Sequence, residues 1–152
     1  MAEKGKRRRS FKEGDVIAIA LPGGRLCFSR ALKSPLMAFY DLAATTVPPI
    51  DQIVACPILF KIWVMRLKPA NWTLVGNWPL TEGLLKPTDF YKRDPISARL
   101  TRYREGEEVA ATREECLQLE NAAVWSAEHV EERLLAHIEG RPSIWVETLR
   151  CK

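Results

Sequence analysis

Histidine, cysteine and glycine are scarce in this chain, and their scarcity removes several kinds of chemistry. The 152 residues include two histidines, four cysteines and eight glycines. His129 and His137 stand about 12 Å apart along one expected helix, too far to share a metal ion. Cys27, Cys56, Cys116 and Cys151 form no C-x-x-C pair and sit mostly among apolar residues. They are expected to be reduced thiols, with Cys27 and Cys56 buried. No glycine-rich phosphate loop, nucleophile elbow or paired-histidine motif is present, so no metal site and no cofactor are expected.

Long apolar runs are lacking as well. The longest, Ile58 to Met65, is interrupted by Lys61 and is far too short to cross a bilayer. The N-terminus carries charge without the apolar stretch of a signal peptide. The expectation is a soluble, cytoplasmic protein with no membrane partner. Its length fits one domain over residues 11–152 behind a basic, disordered tail at residues 1–10.

Charge is present in quantity but unevenly placed. The formal net charge is +4, yet residues 105–139 hold ten acidic and two basic side chains. The tail, with Lys4, Lys6, Arg7, Arg8 and Arg9, accounts for the positive excess, and without it the body is neutral. A single-sign bias of this kind is usually a solvated face, but it also steers basic partners.

Patterning gives most of the fold. Residues 14–32, "GDVIAIALPGGRLCFSRAL", read as a β-hairpin turning at Pro22, Gly23 and Gly24. Its second strand has one face that is apolar except for Arg30, read as a structural charge. Further strands are expected over 35–42, 57–65 and 72–76, with a helical turn near Pro49 and a one-turn helix or turn at 79–87. In the 57–65 strand, Ile58, Phe60, Ile62 and Val64 share a face. Period-two counting puts Trp72, Leu74, Gly76 and Trp78 on one face, with Trp72 in the core. A short strand near 90 and a hairpin about Glu105-Gly106 follow, then a weakly helical segment from Arg113. Residues 125–140 carry full helix signals, namely Ser126 as N-cap, Val130, Leu134 and Ile138 on one stripe and Gly140 as the stop. "SIWVETL" reads as a last strand. The class is α+β, mostly β: a small curved antiparallel sheet or partly open SH3-like barrel with one C-terminal amphipathic helix.

Candidate chemistry is thin. Asp15, Asp41 and Asp94 are acids whose plain readings are a turn residue, a strand-end residue and a turn opener. Tyr103 among Arg99, Arg102 and Arg104, together with the basic tail, could bind nucleic acid by stacking and phosphate contact. Without an RNA-binding signature this remains the alternative reading, a nucleic-acid-associated small β-barrel.

The runs "FKEGDVIAIALPGGRLCFSRAL", "MAFYDL", "PILFKIWVM", "NWTLVGNWPL" and "DFYKRDPIS", in that order over residues 11 to about 98, resemble the immunity protein 26 family of bacterial polymorphic toxin systems. The matching positions are Gly14, Asp15, Leu21, Gly24, Phe39 to Asp41, Phe60, Trp63, Trp72, Gly76, Leu80 and Tyr91. Ile17 and Ser29 stand where members often have an aromatic residue and a glycine. The resemblance implies a mostly β domain that protects against a cognate toxin domain by stoichiometric binding, without catalysis. Most matching positions are glycines or large apolar groups, so they imply the fold more than a binding site. For a toxin that is a nuclease with a basic cleft, Glu107, Glu108, Glu131 and Glu132 are the candidate rim contacts, an inference from charge alone. Nanomolar affinity takes about 12 kcal/mol, usually from a few anchors inside such a rim.

Overall fold

The computed structural model of the chain describes residues 11–65 and 68–152, so the basic tail lies outside the described residues. β1 (Asp15–Leu21) and β2 (Arg25–Ala31) form the expected hairpin. Gly23 and Gly24 turn it with φ of +86° and +76°, values a side chain would strain. β3 (Leu36–Ala44), α1 (Ile50–Val54), β4 (Ile58–Val64), β5 (Trp72–Asn77), α2 (Glu82–Leu85) and β6 (Phe90–Arg93) follow. Then come β7 (Leu100–Arg104), β8 (Glu107–Ala110), α3 (Arg113–Leu117), β9 (Glu120–Asn121), β10 (Val124–Trp125), α4 (Ala127–Glu139) and α5 (Ile144–Leu149).

The strands build two open mixed sheets, ordered β10-β4-β3-β2-β1-β5 and β8-β7-β6-β9. No barrel closes, because the two-residue β10 joins β4 in parallel at one end of the large sheet while β5 ends the other. The sheet's alternation serves two cores. Ile17, Ile19, Phe39, Ile62 and Trp72 face one cluster, which Trp125, Val130 and Leu134 cover from β10 and α4. Val16, Ala18, Phe28, Tyr40 and Ile53 form the other, beneath α1. Apolar residues on both faces explain why β1 reads as a nearly continuous hydrophobic run.

Irregular pairings decide which side chains reach which core. The β1–β5 register shifts between Val16 and Ile17, so that Val16 pairs Gly76 while Ile17 pairs Leu74. The extra residue, Val75, reverses the alternation. Trp72 is thus buried in the first cluster and Trp78 packs against the second, correcting the expectation that both share a face. Leu74, between them, is largely exposed. A second shift, where β3 meets β4, likewise moves Ile58 away from Phe60, Ile62 and Val64 and into the second cluster.

Arg30 is the structural charge the sequence indicated, and it is 1% exposed. Its Nε donates to the Gly14 carbonyl at 3.1 Å and Nη1 to the Tyr40 hydroxyl at 2.9 Å. Nη2 donates to the Trp78 and Pro79 carbonyls at 2.6 and 2.7 Å. The guanidinium therefore clamps the start of β1, the middle of β3 and the chain leaving β5. Gly14 carries φ +91°, and a Cβ there would meet the Trp78 carbonyl at 3.0 Å, so only glycine lets the clamp close.

The C-terminal third is more helical than expected. α4 has its Ser126 cap, with Oγ accepting from His129 N–H, and stops at Gly140 with φ +70°. "SIWVETL" is the helix α5, not a strand: Ser143 Oγ caps it by accepting from Val146 N–H, and His129 stacks on Trp145 with centroids 3.6 Å apart. All four cysteines are free thiols; Cys27, Cys116 and Cys151 are buried, whereas Cys56 is only partly so.

Arg30→Leu removes the donor from the part-buried Trp78 and Pro79 carbonyls and from the buried Tyr40 hydroxyl, and an unmet buried group costs about 1–3 kcal/mol. The substitution is expected to lower unfolding free energy by about 3 kcal/mol or more in urea titrations, and Arg30→Lys, lacking the planar fork, to recover little of it.

Candidate partner-binding surface

The four candidate glutamates divide between a strand and a helix. Glu105 and Gly106 connect β7 to β8 with φ of +46° and +91°, a tight two-residue hairpin turn. Glu107 and Glu108 come next, on a strand whose four residues are all exposed. Glu108 Oε2 accepts from the Thr101 hydroxyl at 2.8 Å, and Lys92 Nζ lies 3.4 Å from Oε1. The Thr101 hydrogen bond, and then Lys92, hold the Glu108 carboxyl below its ordinary pKa.

Glu131 and Glu132, on α4, are engaged with the scaffold. Glu131 Oε2 accepts from the buried Trp72 indole Nε1 at 2.6 Å and from Asn71 Nδ2 at 3.0 Å. That satisfies the one polar atom Trp72 carries into the core. Glu132 accepts from Ser143 Oγ at 2.6 Å and from Arg141 Nη1 at 2.8 Å, which ties α4 to the turn before α5. Partial burial raises the Glu132 pKa, but the Ser143 and Arg141 bonds outweigh it and the net shift is downward. The structure thus brings the glutamates together in pairs, and gives the helix pair a structural role that charge counting did not anticipate.

A groove of about 520 Å³ lies between the two sheets, lined by Leu32, Leu36, Leu84, Trp63, Phe90 and Tyr103 among others. Its aromatic floor is the seam of the molecule. Trp63 of the large sheet packs on Phe90 at 4.5 Å and edge-on to Tyr103 at 5.5 Å, both of the small sheet. Lys92 Nζ stands 4.2 Å over the Tyr103 ring. Tyr103 is therefore a packing residue, and two of its neighbouring arginines face Asp89, Arg104 Nη2 at 2.9 Å and Arg102 Nε at 3.9 Å.

The three aspartates occupy separate networks. Asp15 is buried and accepts from Lys12 N–H at 2.9 Å and Asn77 Nδ2 at 3.1 Å. Asp94 opens the turn after β6 by accepting from the N–H groups of Ile96 and Ser97. Asp41, within β3 and not at its end, lies 3.2 Å from His137 Nε2, in a depression that Cys27 also lines. Burial, only partly offset by Arg25, pushes the Cys27 thiol up to about 11. The thiol stays protonated at neutral pH, and a protonated thiol is a poor nucleophile. No group of three or more His, Cys, Asp or Glu side chains among the described residues could hold a metal ion. No described helix is long and apolar enough to cross a membrane.

This open two-sheet α+β scaffold presents an exposed strand, a charged helix and a seam groove. The family model for immunity protein 26 matches residues 12–101, more than half of the chain, and the chain belongs to that family. Neither a curated protein nor a solved structure matched it. The family region ends inside β7, so the four glutamates lie beyond it. Within it, Gly14 and Tyr40 bind Arg30, Trp63 forms the seam, and Gly76 gives Ile50 the space a Cβ would take, 3.1 Å away.

The lowered Glu132 pKa means that its stabilisation is complete above the ordinary carboxylate range and is lost as pH falls through the folded-state value. Glu132→Gln is expected to lower the urea midpoint at neutral pH and to flatten its fall on acidification. Parallel pH profiles for the two proteins would assign the acid sensitivity to other groups.

Proposed function

We propose that the protein neutralises a cognate toxin domain by direct stoichiometric binding in the cytoplasm, without turnover or cofactor. Membership of the immunity protein 26 family is the observation that carries this reading. The acidic stretch supports a partner with a basic face, as a nuclease cleft has, because single-sign surfaces speed association and select complementary charge. Glu107 and Glu108 fit first contact, being exposed on β8. Glu131 and Glu132 also belong to the proposed rim, but they reach a partner only by loosening their bonds to Trp72, Ser143 and Arg141.

The two pairs therefore have different expected phenotypes. Glu107→Lys with Glu108→Lys is expected to slow association with the toxin domain by about tenfold or more at low salt, with the urea midpoint nearly unchanged. Glu131→Lys with Glu132→Lys is expected to lower the midpoint itself. Stopped-flow association, urea titration and survival of cells co-expressing the toxin check both. Unchanged affinity and full protection after reversal of all four would exclude the acidic rim. Salt-sensitive RNA binding that survives deletion of residues 1–10, with no toxin bound, would favour the nucleic-acid alternative.

A further inference from the structure

Among the described residues, β8 ends the smaller sheet and pairs with β7 alone. The hydrogen-bond phase of that pairing identifies which backbone groups it leaves outward. Ala111 N–H donates to the Leu100 carbonyl at 3.1 Å, so Leu100 and Ala111 are a bonded pair. Opposed residues alternate between bonded and non-bonded in an antiparallel ladder. Arg102 with Val109 and Arg104 with Glu107 are then bonded pairs, while Glu108 and Ala110 turn their N–H and C=O groups to the open side.

The other end strands are blunted in ways β8 is not. β9 and β10 are two residues long, and β5 carries the irregularity at Val75. Short length and bulges are common devices against strand addition. β8 is longer than β9 and β10 at four residues, keeps an unshifted register with β7, holds no proline, and shows Val109 48% exposed. Its protection is charge: Glu105, Glu107 and Glu108 stand within four residues. A second copy pairing here would crowd those acids onto one short ladder, whereas a strand bearing lysine or arginine would meet cross-strand partners.

We propose that β8 is the edge on which the toxin domain adds a basic β-strand, extending the β8-β7-β6-β9 sheet through the backbone of Glu108 and Ala110. This rests on the immunity reading above and assigns its binding surface. Backbone pairing then supplies affinity, and the acidic side chains set the partner's charge.

Ala110→Pro tests the edge, because it removes an outward N–H without touching the β7–β8 bonds and fills the edge with a ring. The probe is the cognate toxin domain of the immunity reading, purified as an inactive variant. Ala110→Pro is expected to bind it about tenfold more weakly or worse, and Ala110→Val to bind like the original. In the original protein, amide exchange at Glu108 and Ala110 is expected to slow at least about tenfold when the toxin domain binds, a readout that does not depend on the proline variant folding. Unchanged affinity of a folded Ala110→Pro, or unchanged exchange at both amides, overturns the edge and leaves the immunity reading standing. A homodimer that Ala110→Pro dissociates overturns it in favour of a second copy. Failure of the original protein to bind the toxin domain overturns both.

Discussion

A guanidinium buried in the face of a sheet is costly unless its donors are met, and meeting those of Arg30 organises the larger half of this protein. Its acceptors come from Gly14, Tyr40, Trp78 and Pro79, which belong to three different strands or their ends. The start of β1, the middle of β3 and the exit from β5 are consequently fixed relative to one another by one side chain. Gly14 adds a second constraint at the same place, since its carbonyl also accepts from Trp78 N–H at 3.0 Å. The second core cluster, with Phe28 and Ile53 fully buried, closes around this polar centre.

The opposite face is finished by residues remote in sequence. Trp125, Val130 and Leu134 cover Phe39, Ile62 and Trp72, although none of the three lies in the region matched by the family model. Arg133 contributes on the same side, stacking 3.6 Å over the Phe60 ring while its fork binds Glu120. Glu131 completes the arrangement from above by taking the Trp72 indole N–H. The family region thus supplies a sheet with two apolar faces, and the C-terminal third, with its surplus of acids, turns one of those faces into a core and its own outer side into surface. Within α4, Val130 and Leu134 supply the core, while Glu131 and Glu132 bind the scaffold.

Much of this architecture is readable from local chemistry. Pro22-Gly23-Gly24 and Glu105-Gly106 specify their hairpins because each turn needs positive φ, and Ser126 with Gly140 brackets α4 for reasons of capping. Thr112-x-x-Glu115 forms a reciprocal capping box that starts α3, a helix start that apolar patterning alone shows only weakly. What local patterning misses depends on distant partners. The irregularity at Val75 separates Trp72 from Trp78, and no feature of "NWTLVGNWPL" itself announces it. "SIWVETL" has the composition of a strand, yet Ser143 caps it as a helix because α4 is there to receive Trp145. At the candidate surface, counting charge found the acidic region but could not tell Glu107, exposed on an edge, from Glu131, which holds an indole. That distinction exists only once the two sheets are assembled.

The five tryptophans illustrate the same layering from another direction. Trp63 lies in the seam between the sheets, Trp72 and Trp125 under α4, Trp78 against the second cluster, and Trp145 between α4 and α5. Each packed interface thus has its own native fluorophore. Single-tryptophan versions, with the other indoles replaced by phenylalanine, would report optically on one layer at a time, so that the order in which the layers come apart can be followed in an unlabelled chain.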